Sequence, residues 1–161
     1  MENDLPIPGR IPQEDDLVAL CRALNTCGAR YLIVGGFAVI HHGYLRATED
    51  IDLLAGDLDN QARVKKALET LPDKAILELG EDDLRDYTVV RVSDEILVDL
   101  MISAGGIEYA EASKSIETTE IAGVPIPFAD ARLLLRMKQT HREKDADDCI
   151  FLRRKIAEMA S

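Results

Sequence analysis

Two aspartates at alternate positions of an apolar segment, Asp50 and Asp52 of ATEDIDLLAG, restrict what this chain can build around them. Side chains two apart in a strand share a face, so the two carboxylates project side by side. Aspartate is disfavoured in strands, and here it occurs twice beside Ile51, Leu53 and Leu54. Like charges on a half-buried strand are unfavourable unless a cation stands between them, and a metal ion meets that need. Shortly upstream, Gly35-Gly36 interrupts the apolar string YLIVGGFAV, a place where backbone can approach a ligand closely. Asp99 is the third acid: in ILVDLMI it interrupts six apolar residues. A buried carboxylate of this kind needs an arginine, a hydrogen-bond cluster or a metal. Three carboxylates without a histidine form an all-oxygen donor set, which suits Mg2+ or Mn2+ better than zinc.

The chain has 161 residues, enough for one domain with a sizeable core. The segment 1–12, with Pro6, Pro8, Gly9 and Pro12, reads as an irregular arm, and 13–161 as the single domain. No apolar run is long enough for a bilayer and the N-terminus does not resemble a signal peptide, so no membrane partner is expected. Cys21, Cys27 and Cys149 have neither zinc-type nor redox spacing, which fits reduced, structural thiols and a cytoplasmic setting. A formal charge of −11 argues against a protein that coats nucleic acid nonspecifically. The charge is uneven. From Arg132 onward eight Lys/Arg face five acids, so the tail is +3 and the rest is −14. Such asymmetry fits a cleft with one wall for metal and one for phosphate, although ordinary helix-surface charge produces it too.

Periodicity predicts a helix from about 13 to 27, a strand over 31–34 and a short helix over 37–42. A strand over 46–54 follows, then a helix from an Asp57 cap to about 71. Strands over 86–92 and 95–102 form a hairpin around Ser93-Asp94, and 115–121 pairs with 124–127. Two helices, about 129–139 and 143–160, close the chain. This order predicts an α+β fold, an α/β sandwich with a mixed sheet flanked by helices. In the 46–54 strand, Arg46, Thr48, Asp50 and Asp52 fall on one face. Lys138, Arg142 and Asp145 are spaced by four and three and share a face if one helix spans them. His41 and His42 are adjacent, so at most one faces any cleft, and a packed histidine is the plainer reading. Asp148 fits a surface salt-bridge ladder as well as a functional role.

The ordered combination of a glycine pair, thirteen residues, D-I-D and a later lone aspartate in an apolar strand resembles the nucleotidyltransferase superfamily with the polymerase-β-type fold. The string GGFAVIHHGYLRATEDIDLL resembles its minimal bacterial branch, which includes the AbiEii-like toxin nucleotidyltransferases and related small proteins. In the tail, LLLRMKQTHREKDADDCIFL is similar to the K…R-x-K-D-x-x-D…L segment of those proteins. The resemblance implies that Gly35 and Gly36 hold nucleotide phosphates, and that Asp50, Asp52 and Asp99 bind Mg2+ or Mn2+. Asp99 would also help deprotonate the attacking hydroxyl, while Lys138, Arg142 and Thr48 serve the nucleotide. It further implies transfer of a nucleoside monophosphate from a nucleoside triphosphate, ATP among them, to a hydroxyl acceptor. A tRNA 3′ end, a protein in a toxin–antitoxin setting and a small molecule all fit. No separate acceptor-binding region is present, so a homodimer or a toxin or antitoxin partner would complete the cleft, or the acceptor is small. The alternatives are a non-catalytic nucleotide-binding or antitoxin-type module on the same fold, and a structural domain whose acids pair with Arg46 and Arg91.

Overall fold

A computed structural model describes residues 9–56, 58–80, 83–86, 88–138 and 143–160. The elements in chain order are α1 (Glu14–Thr26), β1 (Tyr31–Val34), α2 (Gly35–His41), β2 (Asp50–Ala55), α3 (Leu58–Leu68) and α4 (Asp83–Asp86). They continue as β3 (Val89–Ser93), β4 (Leu97–Met101), β5 (Ser103–Ala104), β6 (Ile107–Glu108), α5 (Tyr109–Ala112), β7 (Ile116–Ile121), β8 (Val124–Ala129), α6 (Ala131–Met137) and α7 (Glu143–Met159). Two short 3-10 turns, Ala75–Glu78 and Ser113–Ser115, complete the set.

β1 is four consecutive apolar residues, all buried, the pattern of a strand covered on both faces. It sits inside a six-stranded sheet ordered β3-β4-β2-β1-β8-β7. The sheet is mixed: β1 pairs β8 and β2 pairs β4 in parallel, whereas β1–β2, β3–β4 and β7–β8 are antiparallel. In β2, Ile51 and Leu53 are fully buried on one face while Asp50 and Asp52 lie half-buried on the other. α1 buries Leu17, Leu20, Cys21 and Leu24, its apolar stripe, against α3 and β8. Burial pushes the Cys21 thiol up to about 12, so it packs as a small apolar group. α2 packs on β1, β2 and α6, and α6 on α7. The architecture is α+β, a mixed sheet flanked by helices, as the element order predicts.

Several boundaries differ from the sequence expectation. The strand expected from Arg46 begins only at Asp50, so Arg46 and Thr48 do not continue the aspartate face. Gly35 and Gly36 open α2 instead of forming a separate turn. Lys138 caps α6 and Asp145 belongs to α7, so no single helix carries both. Asp57, His141 and Arg142 lie outside the described residues, as does most of the arm; Arg10 N donates to Glu95 O at 2.9 Å, holding its end at the β3–β4 turn.

Asp94 in that turn does more than reverse the chain. It is buried and accepts from the backbone N–H groups of Asp73, Ala75 and Glu95 at 2.9, 2.8 and 2.7 Å. Burial opposes its charge, but the three donors outweigh that and hold its pKa below the usual aspartate range. We expect Asp94→Asn to cost about 1–3 kcal/mol at neutral pH, read from urea unfolding. A depressed folded pKa gives stability that is present above the unfolded pKa and lost as pH falls through the folded one. The gap between wild type and variant therefore narrows in acid.

Candidate active site

The sheet register assembles the site. Asp52 on β2 is paired with Val34 on β1 and with Asp99 on β4, and Asp99 is paired with Arg91 on β3. Residues in register across neighbouring strands project from the same face. Asp50, two residues before Asp52, joins that face. The three aspartates each offer an oxygen within 4.8 Å of the others. Oxygens this close suit a hard divalent cation once the side chains draw slightly inward.

Arg91 supplies a positive charge to the cluster. Its Nε donates to Asp99 Oδ1 at 2.8 Å, and its Nη2 donates to Asp99 Oδ2 and Asp50 Oδ2, both at 2.9 Å. The hydrogen bonds to Asp99 raise the Arg91 pKa further, against the effect of burial, so the guanidinium is charged at every working pH. Asp99 is only 8% exposed, whereas the Arg91 side chain is 51% exposed. Half of the proposed structural pairing is therefore present: Arg91 meets the acids, and Arg46 does not.

Gly35 and Gly36 are also needed for the packing of the site's own side chains. Gly35 has φ +69°, and a Cβ there would lie 1.8 Å from Asp52 Oδ2. A Cβ on Gly36 would lie 2.4 Å from Thr48 Oγ1 and 3.2 Å from Arg46 Nη2. Both make room for the protein's own side chains, although Gly35 also lines the cleft. Gly35→Ala should cost about 1–2 kcal/mol from the left-handed backbone alone. Because the methyl also displaces the Asp52 carboxylate, affinity for Mn2+ should fall more than stability does, measured by titration calorimetry beside thermal melting.

Beside the carboxylates lies a cleft of about 450 Å³, within the usual range for small-molecule sites. Asp50, Asp52, Asp99 and Arg91 line it from the sheet, together with Leu134, Met137, Lys138 and Asp145 from α6, its cap and α7. Glu49, also in the lining, was not singled out by the sequence. Thr48 is not among the lining residues; it sits behind Gly36, and its hydroxyl donates to Asp50 O at 3.3 Å. His41 and His42 stay out of the cleft as well. His41 stacks on Phe128 with ring centroids 4.0 Å apart, and His42 Nε2 lies 2.9 Å from Ala129 O.

Lys138 is 8% exposed, its Nζ 3.0 Å from Asp148 Oδ2 and 3.5 Å from Asp145 Oδ1. Asp148 is not part of a surface ladder. It is 0% exposed and also receives Arg46, through Nη2 at 2.9 Å and an Nε contact of 2.8 Å to Oδ1. That second contact lacks hydrogen-bond alignment and acts by charge alone. One buried carboxylate thus ties the lysine of the cleft to the segment entering β2.

No family model and no curated protein matches this sequence. Solved structures match its fold. The lincosamide antibiotic adenylyltransferase LnuA, in a lincomycin-bound structure, aligns with a TM-score of 0.57 at 16% identity, over 90% of this chain and 98% of that one. ANT(2″)-Ia in complex with adenylyl-2″-tobramycin aligns with a TM-score of 0.58 at 16% identity, over 89% of each chain. An antigenic nucleotidyltransferase-like protein from Paracoccidioides brasiliensis gives 0.54 at 18% identity, over 91% and 78%. The fold is that of nucleotidyltransferases. At these identities the likeness is one of architecture, and chemistry has to be argued from the side chains.

Proposed function

We propose that this protein is a metal-dependent nucleotidyltransferase that moves a nucleoside monophosphate from a nucleoside triphosphate to a hydroxyl acceptor. The observation that carries the proposal is the meeting of Asp50, Asp52 and Asp99 at the wall of a cleft shared with Lys138. Asp50 and Asp52 would hold Mg2+ or Mn2+, with Asp99 completing a second position. A divalent cation held by these carboxylates would supply charge neutralisation to the phosphoryl transfer. Asp99 then takes the proton of the acceptor hydroxyl as its oxygen bonds to the α-phosphorus. The bond from that phosphorus to the bridging oxygen breaks, and pyrophosphate leaves. Lys138 reaches the departing phosphates from the end of α6, with Asp145 and Asp148 orienting its ammonium. By the resemblance of its sequence, Arg142 supports the same phosphates. Gly35 keeps the space that Asp52 occupies.

For the acceptor, a small hydroxylated molecule is the favoured class. LnuA and ANT(2″)-Ia are solved with a lincosamide and with adenylylated tobramycin, and the chain aligns over 98% and 89% of their lengths. The formal charge of −11 also works against a polyanionic acceptor such as tRNA. The sequence resemblance to the AbiEii-like branch keeps a protein acceptor in a toxin–antitoxin setting as the second choice. Incubation with each α-labelled triphosphate, Mg2+ and panels of small alcohols, tRNA and cell protein tests the reading. Label should move to one panel with release of pyrophosphate. Failure of transfer to all three, with nucleotide still bound, leaves the non-catalytic binding module.

A further inference from the structure

Arg91 already stands where a cation has to stand. One of its nitrogens is shared between Asp50 and Asp99, and a second binds the other oxygen of Asp99. Together these contacts engage both Asp99 oxygens and one of Asp50, so a metal ion ligated by either residue competes with the guanidinium for them. The competitor is tethered to β3 and therefore present at high effective concentration. β3 is an edge strand of the sheet, and the Arg91 side chain is half exposed. Side-chain rotation is enough to withdraw it. Lys138 pairs with Asp145 and Asp148, and no contact between it and the three clustered aspartates is among its described ion pairs.

We propose that Arg91 is a built-in counter-cation that keeps the carboxylates filled until nucleotide arrives, making metal and triphosphate load together. The proposal rests on the metal-centre reading above and concerns how that centre is regulated. A metal ion alone must take these oxygens from the guanidinium and leave it beside a new positive charge. A metal–triphosphate complex brings phosphate oxygens, which accept a guanidinium in the same two-pronged geometry that a carboxylate does. Arg91 lines the same cleft as the aspartates, so its head group can transfer from carboxylate to phosphate without leaving the site. The consequence is a positive coupling between the two ligands, and by reciprocity each raises the affinity of the other equally.

The test measures free Mn2+ by electron paramagnetic resonance, using the full chain with and without a triphosphate whose α–β bridge is nonhydrolysable. Wild type, Arg91→Gln and Arg91→Lys are compared. Without nucleotide, Arg91→Gln should bind Mn2+ about tenfold tighter than wild type, while Arg91→Lys, which keeps the charge but loses the two-pronged grip, should fall between them. Adding the analogue should tighten Mn2+ binding by wild type at least tenfold more than binding by Arg91→Gln. A strand merely disturbed by the substitution would weaken Mn2+ binding. Equal Mn2+ affinities without nucleotide, or equal coupling in both proteins, overturn the role of Arg91 and leave the metal centre standing. Failure of every protein to bind Mn2+ in either condition removes the metal centre, and this proposal with it.

Discussion

Replacing Asp52 with alanine should lower nucleotidyl transfer by about a thousandfold while leaving the metal-free protein folded. Asp52 is the middle carboxylate of the row, in register with Val34 on one side and Asp99 on the other. The adjacent Gly35 has no side chain to offer in its place. Losing a carboxylate ligand removes several kcal/mol of charge stabilisation from an in-line displacement, and about 4 kcal/mol is a factor of a thousand in rate. The metal-free fold should persist, because Asp52 is half-buried at the cleft wall while Ile51 and Leu53 carry the core face of β2. Initial rates of pyrophosphate release, measured beside circular-dichroism melting without metal, separate the two effects. A variant that melts within a few degrees of wild type yet has lost turnover is the expected result. Unchanged turnover would remove Asp52 from the chemistry.

The largest stability effect should come from Asp148→Ala, at about 3–5 kcal/mol. Asp148 is fully buried, and its carboxylate is the meeting point of Arg46 and Lys138. Truncation leaves two cations in a poorly solvated place; Lys138 keeps Asp145 nearby, but Arg46 has no second carboxylate among its described ion pairs. In a chain of this length such a loss lowers the melting temperature by about 10 °C. Because Arg46 and Asp148 share one network, their effects should not add. The double variant Arg46→Ala/Asp148→Ala should cost clearly less than the two single changes together, a coupling that a double-mutant cycle in urea reads directly. Strict additivity would mean that the pair does not act as a unit.

Much of the fold is local in origin and was legible for that reason. The continuous apolar run of β1, the β7–β8 hairpin about Ala122-Gly123 and the α1 stripe each carry their period within a dozen residues. Both turn residues, Ala122 and Gly123, have positive φ (52° and 80°), as a tight hairpin of this kind requires. The carboxylate cluster was legible because an aspartate in an apolar strand is costly wherever the strand goes. Register was harder. A turn at Ser93-Asp94 would set Arg91 opposite Ile96, but the observed pairing of Ser93 with Leu97 sets it opposite Asp99. A small slip in a hairpin changes which side chains face one another, and here it decides whether an arginine meets the site. Extending the aspartate alternation back to Arg46 failed for a related reason. Period two continues only while the ladder does, and Arg46 leaves it to reach Asp148, 102 residues away. The packing role of the glycines was not legible, because a missing side chain looks the same whether it admits a ligand or a neighbouring carboxylate. In the folded chain Gly35 admits Asp52.

The most direct measurement is diffraction at the manganese absorption edge from crystals grown with Mn2+ and a nonhydrolysable triphosphate. The expected anomalous map places manganese between Asp50, Asp52 and Asp99, with the phosphates on the side of the cleft that Lys138 lines. Nucleotide bound with no manganese peak at those three carboxylates would contradict the metal-dependent transfer proposed for this protein.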